Sequence, residues 1–162
     1  MISVEQKIRH IKLLAMDFDG VFTDNRVFFD ENGKETVICD RSDSLGIKML
    51  KERRPDIKII VISKEKSKVV NARCDKLKIE CKTGIDDKLA MFKKIIDTEN
   101  VNPEEVAYMG NDINDIECIQ FAGIGVAVSD SAPQVLNVAD YITIKKGGRG
   151  AIREFIDIIL AR

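Results

Sequence analysis

The sequence predicts an α/β fold built on a doubly wound, Rossmann-like parallel sheet. Three observations carry that reading: short apolar runs recur along the chain, amphipathic segments separate them, and the two kinds alternate. In chain order, IKLLAM (11–16) is the first buried strand. RVFFDENGKETVIC (26–39) then breaks the alternation, with two β-prone arms around the turn signal DENG, and reads as a hairpin. A helical segment at about 43–54 leads to the strand IKIIVI (57–62), and another at about 66–77 follows it. The helical segment 87–99 precedes the strand VAYMG (106–110), and 113–122 precedes GIGVAV (123–128). The short segment 132–138 leads to YITI (141–144), and the last helix, 150–161, shows its period in Ile152, Phe155, Ile156, Ile159 and Leu160. Strands joined through helices pair in parallel by right-handed crossovers, so helices are expected on both faces of the sheet.

The 162 residues, 44 % hydrophobic and 33 % charged, suit one domain with a substantial core, expected to span 1–162. Twenty-six basic against 27 acidic residues leave a net charge of −1, which gives no general attraction to nucleic acid or to an anionic membrane. Apolar runs near seven residues are too short to span a bilayer. Cys39, Cys74, Cys81 and Cys118 form no C-x-x-C and follow no signal peptide, so a cytoplasmic protein with reduced thiols is expected.

The chemistry gathers where strands end. MDFDGVFTD places Asp17, Asp19 and Asp24 directly after the first strand. In an open parallel sheet, ligands bind beyond the carboxyl ends of the strands. Asp17 and Asp19 stand at i and i+2, so they converge if Gly20 turns the backbone, and a hard cation such as Mg²⁺ would relieve their repulsion. Taken singly, a loop aspartate is more often a helix cap or part of an Asx turn than a ligand. The pattern repeats, however: VAYMGNDIND ends a strand in Gly110 with Asn111, Asp112 and Asp115, IKIIVIS ends in the hydroxyl of Ser63, and GIDDKLAMF opens a helix with Lys88. A cation at a helix N-terminus opposes the dipole and requires a partner, unless it is merely solvated.

DFDGVFTD, the strand-end Ser63, Lys88 and GNDINDIE resemble, in order, the four motifs of the haloacid dehalogenase superfamily of phosphohydrolases. RSDSLGIKML, NARCDKL and GGRGAIREF extend the resemblance to its small capless branch, the phosphatases of 3-deoxy-octulosonate 8-phosphate and of sialic-type 9-phosphates. The resemblance implies that Asp17 is the nucleophile, Asp19 the general acid and base, and Ser63 and Lys88 the phosphoryl-holding groups. It implies Mg²⁺ at Asp17, the Asp19 carbonyl and motif four. There Asn111 stands where many members have Asp, leaving Asn111, Asp112 or Asp115 as the ligand. Lys64 also departs from the branch, which usually has Gly at that position.

The resemblance implies a phosphorylated 2-keto-3-deoxy sugar acid as substrate, with Thr23, Glu65, Arg73, Lys76 and Arg149 among the substrate-binding residues. Glu65 together with Lys76 resembles the nine-carbon branch and implies a nonulosonate (sialic acid or KDN type) 9-phosphate, with the octulosonate 8-phosphate as the alternative. On one continuous helix, those two residues would stand roughly 16 Å apart and meet only across subunits. Gly147, Gly148 and Gly150 allow close approach to an anion, or simply form a loop. Lacking a cap domain, the site needs cover. Val27, Phe28, Phe29, Val37 and Ile38 place more apolar surface on the hairpin than one chain easily buries, unless they pack back onto their own sheet; the resemblance implies a homotetramer with shared active sites. Two readings of another kind are a phospho-acceptor receiver module, which the D-x-D-G order disfavours, and a catalytically weak oligomerisation module, against which the intact Asp17, Asp19, Ser63 and Lys88 argue but which Asn111 leaves open.

Overall fold

The computed structural model describes residues 3–162. Ser3 caps the short helix α1 (Val4–Ile8), after which β1 (Leu13–Met16) enters the core with all four residues buried. The hairpin of β2 (Phe28–Phe29) and β3 (Glu35–Thr36) follows, closed by Asp30, whose carboxylate accepts the N–H of Asn32 and Lys34. It pairs over a shorter span than 26–39. Next come α2 (Arg41–Arg53), β4 (Lys58–Ile62), α3 (Lys68–Leu77), β5 (Glu80–Lys82), α4 (Lys88–Glu99), β6 (Val106–Gly110), α5 (Ile116–Phe121), β7 (Ile124–Ala127), α6 (Pro133–Leu136), β8 (Tyr141–Ile142) and α7 (Ala151–Leu160).

The main sheet has the order β5-β4-β1-β6-β7-β8 and is parallel throughout. Side chains alternate across it. Leu14, Met16, Ala107 and Met109 face Leu50 of α2, Val70 of α3 and Phe155 of α7. Leu13, Ala15, Val106 and Tyr108 face Phe92 of α4 and Ile119 of α5. Both faces are therefore covered, as near-continuous apolar strands require. The chain winds from β1 outward through β4 to β5, then returns to β6 on the other side of β1. That reversal opens a crevice at the carboxyl ends of β1, β4 and β6.

Between β1 and β4, the chain inserts only the hairpin and α2, and between β4 and α4 only α3 and β5. No cap domain stands over the crevice among the described residues. No helix among them is long and apolar enough to cross a membrane.

Candidate active site

Asp17 continues the β1 ladder, its N–H donating to Met109 O at 2.9 Å, and the residue is 6 % exposed. Lys88 opens α4 behind the cap of Asp87 and is 4 % exposed. Its ammonium lies 2.8 Å from Asp17 Oδ1 and 2.9 Å from Asp115 Oδ1, which is why a cation is tolerated at a helix N-terminus. Asp115 is fully buried and saturated. Oδ1 accepts from Lys88 and from the Tyr108 hydroxyl at 2.8 Å, while Oδ2 accepts the N–H of Asn111 at 3.0 Å and of Asp112 at 3.3 Å. It folds the motif-four loop onto the sheet and has no oxygen left for a metal.

One ammonium between two carboxylates leaves a buried negative charge. Burial and the neighbouring Asp115 push Asp17 up to about 7, against the pull of Lys88. Burial pulls Lys88 down, but Asp17 and Asp115 more than offset this and hold it above the ordinary lysine range. Burial, then Glu65 and Glu35, also raise Asp19.

Both Asp17 and Asp19 line the cleft, and Gly20 makes the turn that follows Asp19, with φ at +82°. A β-carbon there would overlap Asn111 Nδ2, so Gly20 is the floor on which the Asn111 amide rests. Asn111 Oδ1 and Ser63 Oγ are both buried without a hydrogen-bond partner. A partnerless carbonyl-type oxygen in the same cleft as an over-charged carboxylate is the donor chemistry of a hard cation, so Mg²⁺ suits Asp17 and Asn111. Asp112 lines the same cleft, but its Oδ1 already accepts the Ile113 N–H at 2.7 Å to cap the 3₁₀ turn Ile113–Asp115. The cleft, about 470 Å³, is lined by Asp17, Asp19, Ser63, Asn111 and Asp112 below and by Val27, Phe29 and Glu35 of the hairpin region above.

Thr23 is not a cleft residue. It is fully buried, and its hydroxyl accepts the N–H of Gly20 and of Asn25, both at 3.1 Å, locking the turn instead of facing a ligand. Gly147 and Gly148 pack against the chain itself, the Gly148 N–H donating to Val21 O at 2.9 Å. A β-carbon on Gly147 would strike Gly20 O, so this loop is packed against the catalytic turn itself, with the Gly147 N–H held by Asp130 at 2.9 Å. Arg149 lies outside the cleft, 3.7 Å from Asp24. Arg73 does not line the cleft and donates to Ser44 Oγ at 2.5 Å, and Lys76 is exposed on the last turn of α3. Glu65 lines the cleft but precedes the helix, which starts at Lys68 behind the cap of Ser67, so Glu65 and Lys76 do not share one helix. Sequence reasoning left out Tyr108 and undervalued Asp115. The D-x-x-D spacing of Asp112 and Asp115, a capping box, was the available signal.

A family model for haloacid dehalogenase-like hydrolases matches residues 83–156, a span that includes Lys88 and the motif-four turn. The chain is 36 % identical, over 97 % of its length and 83 % of the relative's, to the 3-deoxy-D-manno-octulosonate 8-phosphate phosphatase KdsC of Escherichia coli (strain B / BL21-DE3). Among solved structures it is similar to the 3-deoxy-D-manno-octulosonate 8-phosphate phosphatase of Moraxella catarrhalis in complex with magnesium ion, phosphate ion and KDO. The TM-score is 0.93 at 35 % identity, covering 97 % of this chain and 90 % of that one. The cobalt-bound phosphatase YrbI of Haemophilus influenzae is similar at a TM-score of 0.91 and 34 % identity, covering 96 % and 91 %. With its buried aspartate–lysine pair at the switch point of a parallel sheet, and relatives alike along nearly its whole length, the chain belongs to the haloacid dehalogenase-like hydrolases and is a phosphatase.

Proposed function

We propose that the chain hydrolyses the phosphomonoester of a phosphorylated 2-keto-3-deoxy sugar acid, with the octulosonate 8-phosphate as its substrate. The observation that carries the chemistry is Asp17, buried against Lys88 at 2.8 Å and facing a cleft large enough for a sugar beyond the phosphoryl group. The names of the relatives favour the octulosonate over the nonulosonate that Glu65 suggests. Asp17 attacks phosphorus to give an aspartyl phosphate, splitting one hard displacement into two easier ones. Asp19 donates its proton to the leaving alkoxide and takes one back from the water that cleaves the acyl phosphate. Ser63 Oγ, with no protein partner, donates to a transferring oxygen, while Lys88 orients Asp17 and balances its charge. Asp17, the Asp19 carbonyl and Asn111 would hold Mg²⁺, with Asp112 lining the same cleft, and the ion would supply positive charge against the repulsion between an anionic nucleophile and an anionic substrate.

The chain acts as a homo-oligomer, a tetramer in this proposal, with the hairpin seated on a neighbour. Val37 packs against its own core, whereas Phe28, Phe29 and Ile38 are 58 %, 63 % and 63 % exposed. Phosphate release with Mg²⁺, compared between the octulosonate 8-phosphate and a nonulosonate 9-phosphate, tests the substrate. A higher kcat/KM for the former is expected, and a preference for the latter would return the specificity to the Glu65 reading.

A further inference from the structure

We propose that Arg26 and Lys64 form a two-sided cationic rim that receives the carboxylate of the substrate. These two residues then select sugar acids over neutral sugars. The inference rests on the substrate class proposed above. Among the side chains lining the cleft, Arg26 and Lys64 are the cations, set against the carboxylates of Asp17, Asp19, Glu35, Glu65 and Asp112. Lys88 lies beneath this surface and is already shared between two aspartates. An entering ligand with both a phosphoryl group and a carboxylate therefore meets a net-acidic cleft, in which two positive groups remain for its second anion.

Backbone anchoring fixes both positions. The Arg26 N–H donates to Asp24 Oδ1 at 3.2 Å, which ties the base of the hairpin to the catalytic turn. Lys64 is the residue after Ser63, whose N–H donates to Lys82 O at 2.8 Å and whose carbonyl accepts from Ile85 at 3.2 Å. The ammonium therefore starts one residue from the hydroxyl that faces the phosphoryl group. Neither cationic side chain has an ion-pair partner among the described residues, although Glu35 and Glu65 line the same cleft. A guanidinium from the hairpin and an ammonium from the end of β4 suit a planar, bidentate acceptor such as a carboxylate.

The test compares kcat/KM for octulosonate 8-phosphate and for ribose 5-phosphate, a sugar phosphate without a carboxylate, in wild type, Arg26→Gln, Lys64→Gln and Lys64→Arg. Each Gln variant should lose about tenfold more on the sugar acid than on ribose 5-phosphate, the loss of one charge-assisted hydrogen bond. Lys64→Arg should restore most of the selectivity. Equal losses on both substrates, or no loss on either, would overturn the rim while leaving the substrate class standing. A wild type that does not favour the sugar acid over ribose 5-phosphate would instead overturn the substrate class, and the rim with it.

Discussion

Replacing Asp17 by Asn keeps the shape of the side chain and removes its nucleophilic oxygen pair. Phosphate release by purified Asp17→Asn should therefore vanish while the circular dichroism spectrum stays native. Asp19→Asn should lower kcat by about 10²–10⁴, the usual worth of a positioned acid; wild-type turnover in either variant would refute the assignment. Gly20 offers a sharper test, because its φ of +82° and the Asn111 amide against it exclude any side chain. Gly20→Ala should cost roughly 1–2 kcal/mol for the left-handed backbone alone and more for the overlap. It should also displace Asn111, so that Mg²⁺ affinity measured by calorimetry falls; unchanged affinity would remove Asn111 from the metal site. Asp17, Asp19, Ser63 and Lys88 were legible in the sequence because each stands at a strand end or a helix start, positions that the hydrophobic pattern locates. Thr23 and Arg73 were not, since a residue type says nothing of where a side chain turns once a backbone N–H or another hydroxyl competes for it.

The elements with the longest regular runs were the easiest to read. VAYMG is a strand over its whole predicted length, and α7 lies within one residue of the predicted span at each end. The sequence missed β5 because Glu80–Lys82 is a short edge strand with charged residues at both ends, and α1 because five residues are too few to display a helical period. The predicted helix from 66 starts two residues late because Ser67 caps it, which removes the geometric argument about Glu65 and Lys76. A different element contact carries a pH prediction. Asp43 of α2 is buried and accepts the Arg153 N–H of α7 at 2.9 Å, while its other oxygen has no partner. Burial, opposed by that N–H and reinforced by Asp40, pushes its carboxyl up to about 6. An unfolded aspartate titrates near about 3.9, so the folded state favours the proton. This contribution is complete below about 3.9 and lost as pH rises through about 6, by at most about 3 kcal/mol. Urea midpoints of wild type and Asp43→Asn should therefore diverge between pH 4 and 7; parallel profiles would assign the pH response to other groups.

For the whole molecule, alternation implies a parallel sheet and so a site beyond the carboxyl ends of its strands, whereas the strand order that puts the reversal beside β1 emerged only in the structure. The proposed assembly was legible only as surplus apolar surface on the hairpin. Light scattering should give a mass several times that of one chain, and Phe28→Ser with Phe29→Ser should shift it to the monomer; a wild-type monomer with full activity would end the proposal of shared sites. The packing of Gly147 and Gly148 against the Gly20 turn has a consequence in time as well as in space. During vectorial synthesis, Asp17 and Asp19 leave the ribosome early, but the backbone that braces their turn is more than a hundred residues behind. Nascent chains arrested before residue 147 should bind no phosphate analogue, however complete their first strands. Competence should then arrive abruptly as the β8–α7 connection emerges, a late checkpoint imposed by a contact between distant parts of the chain.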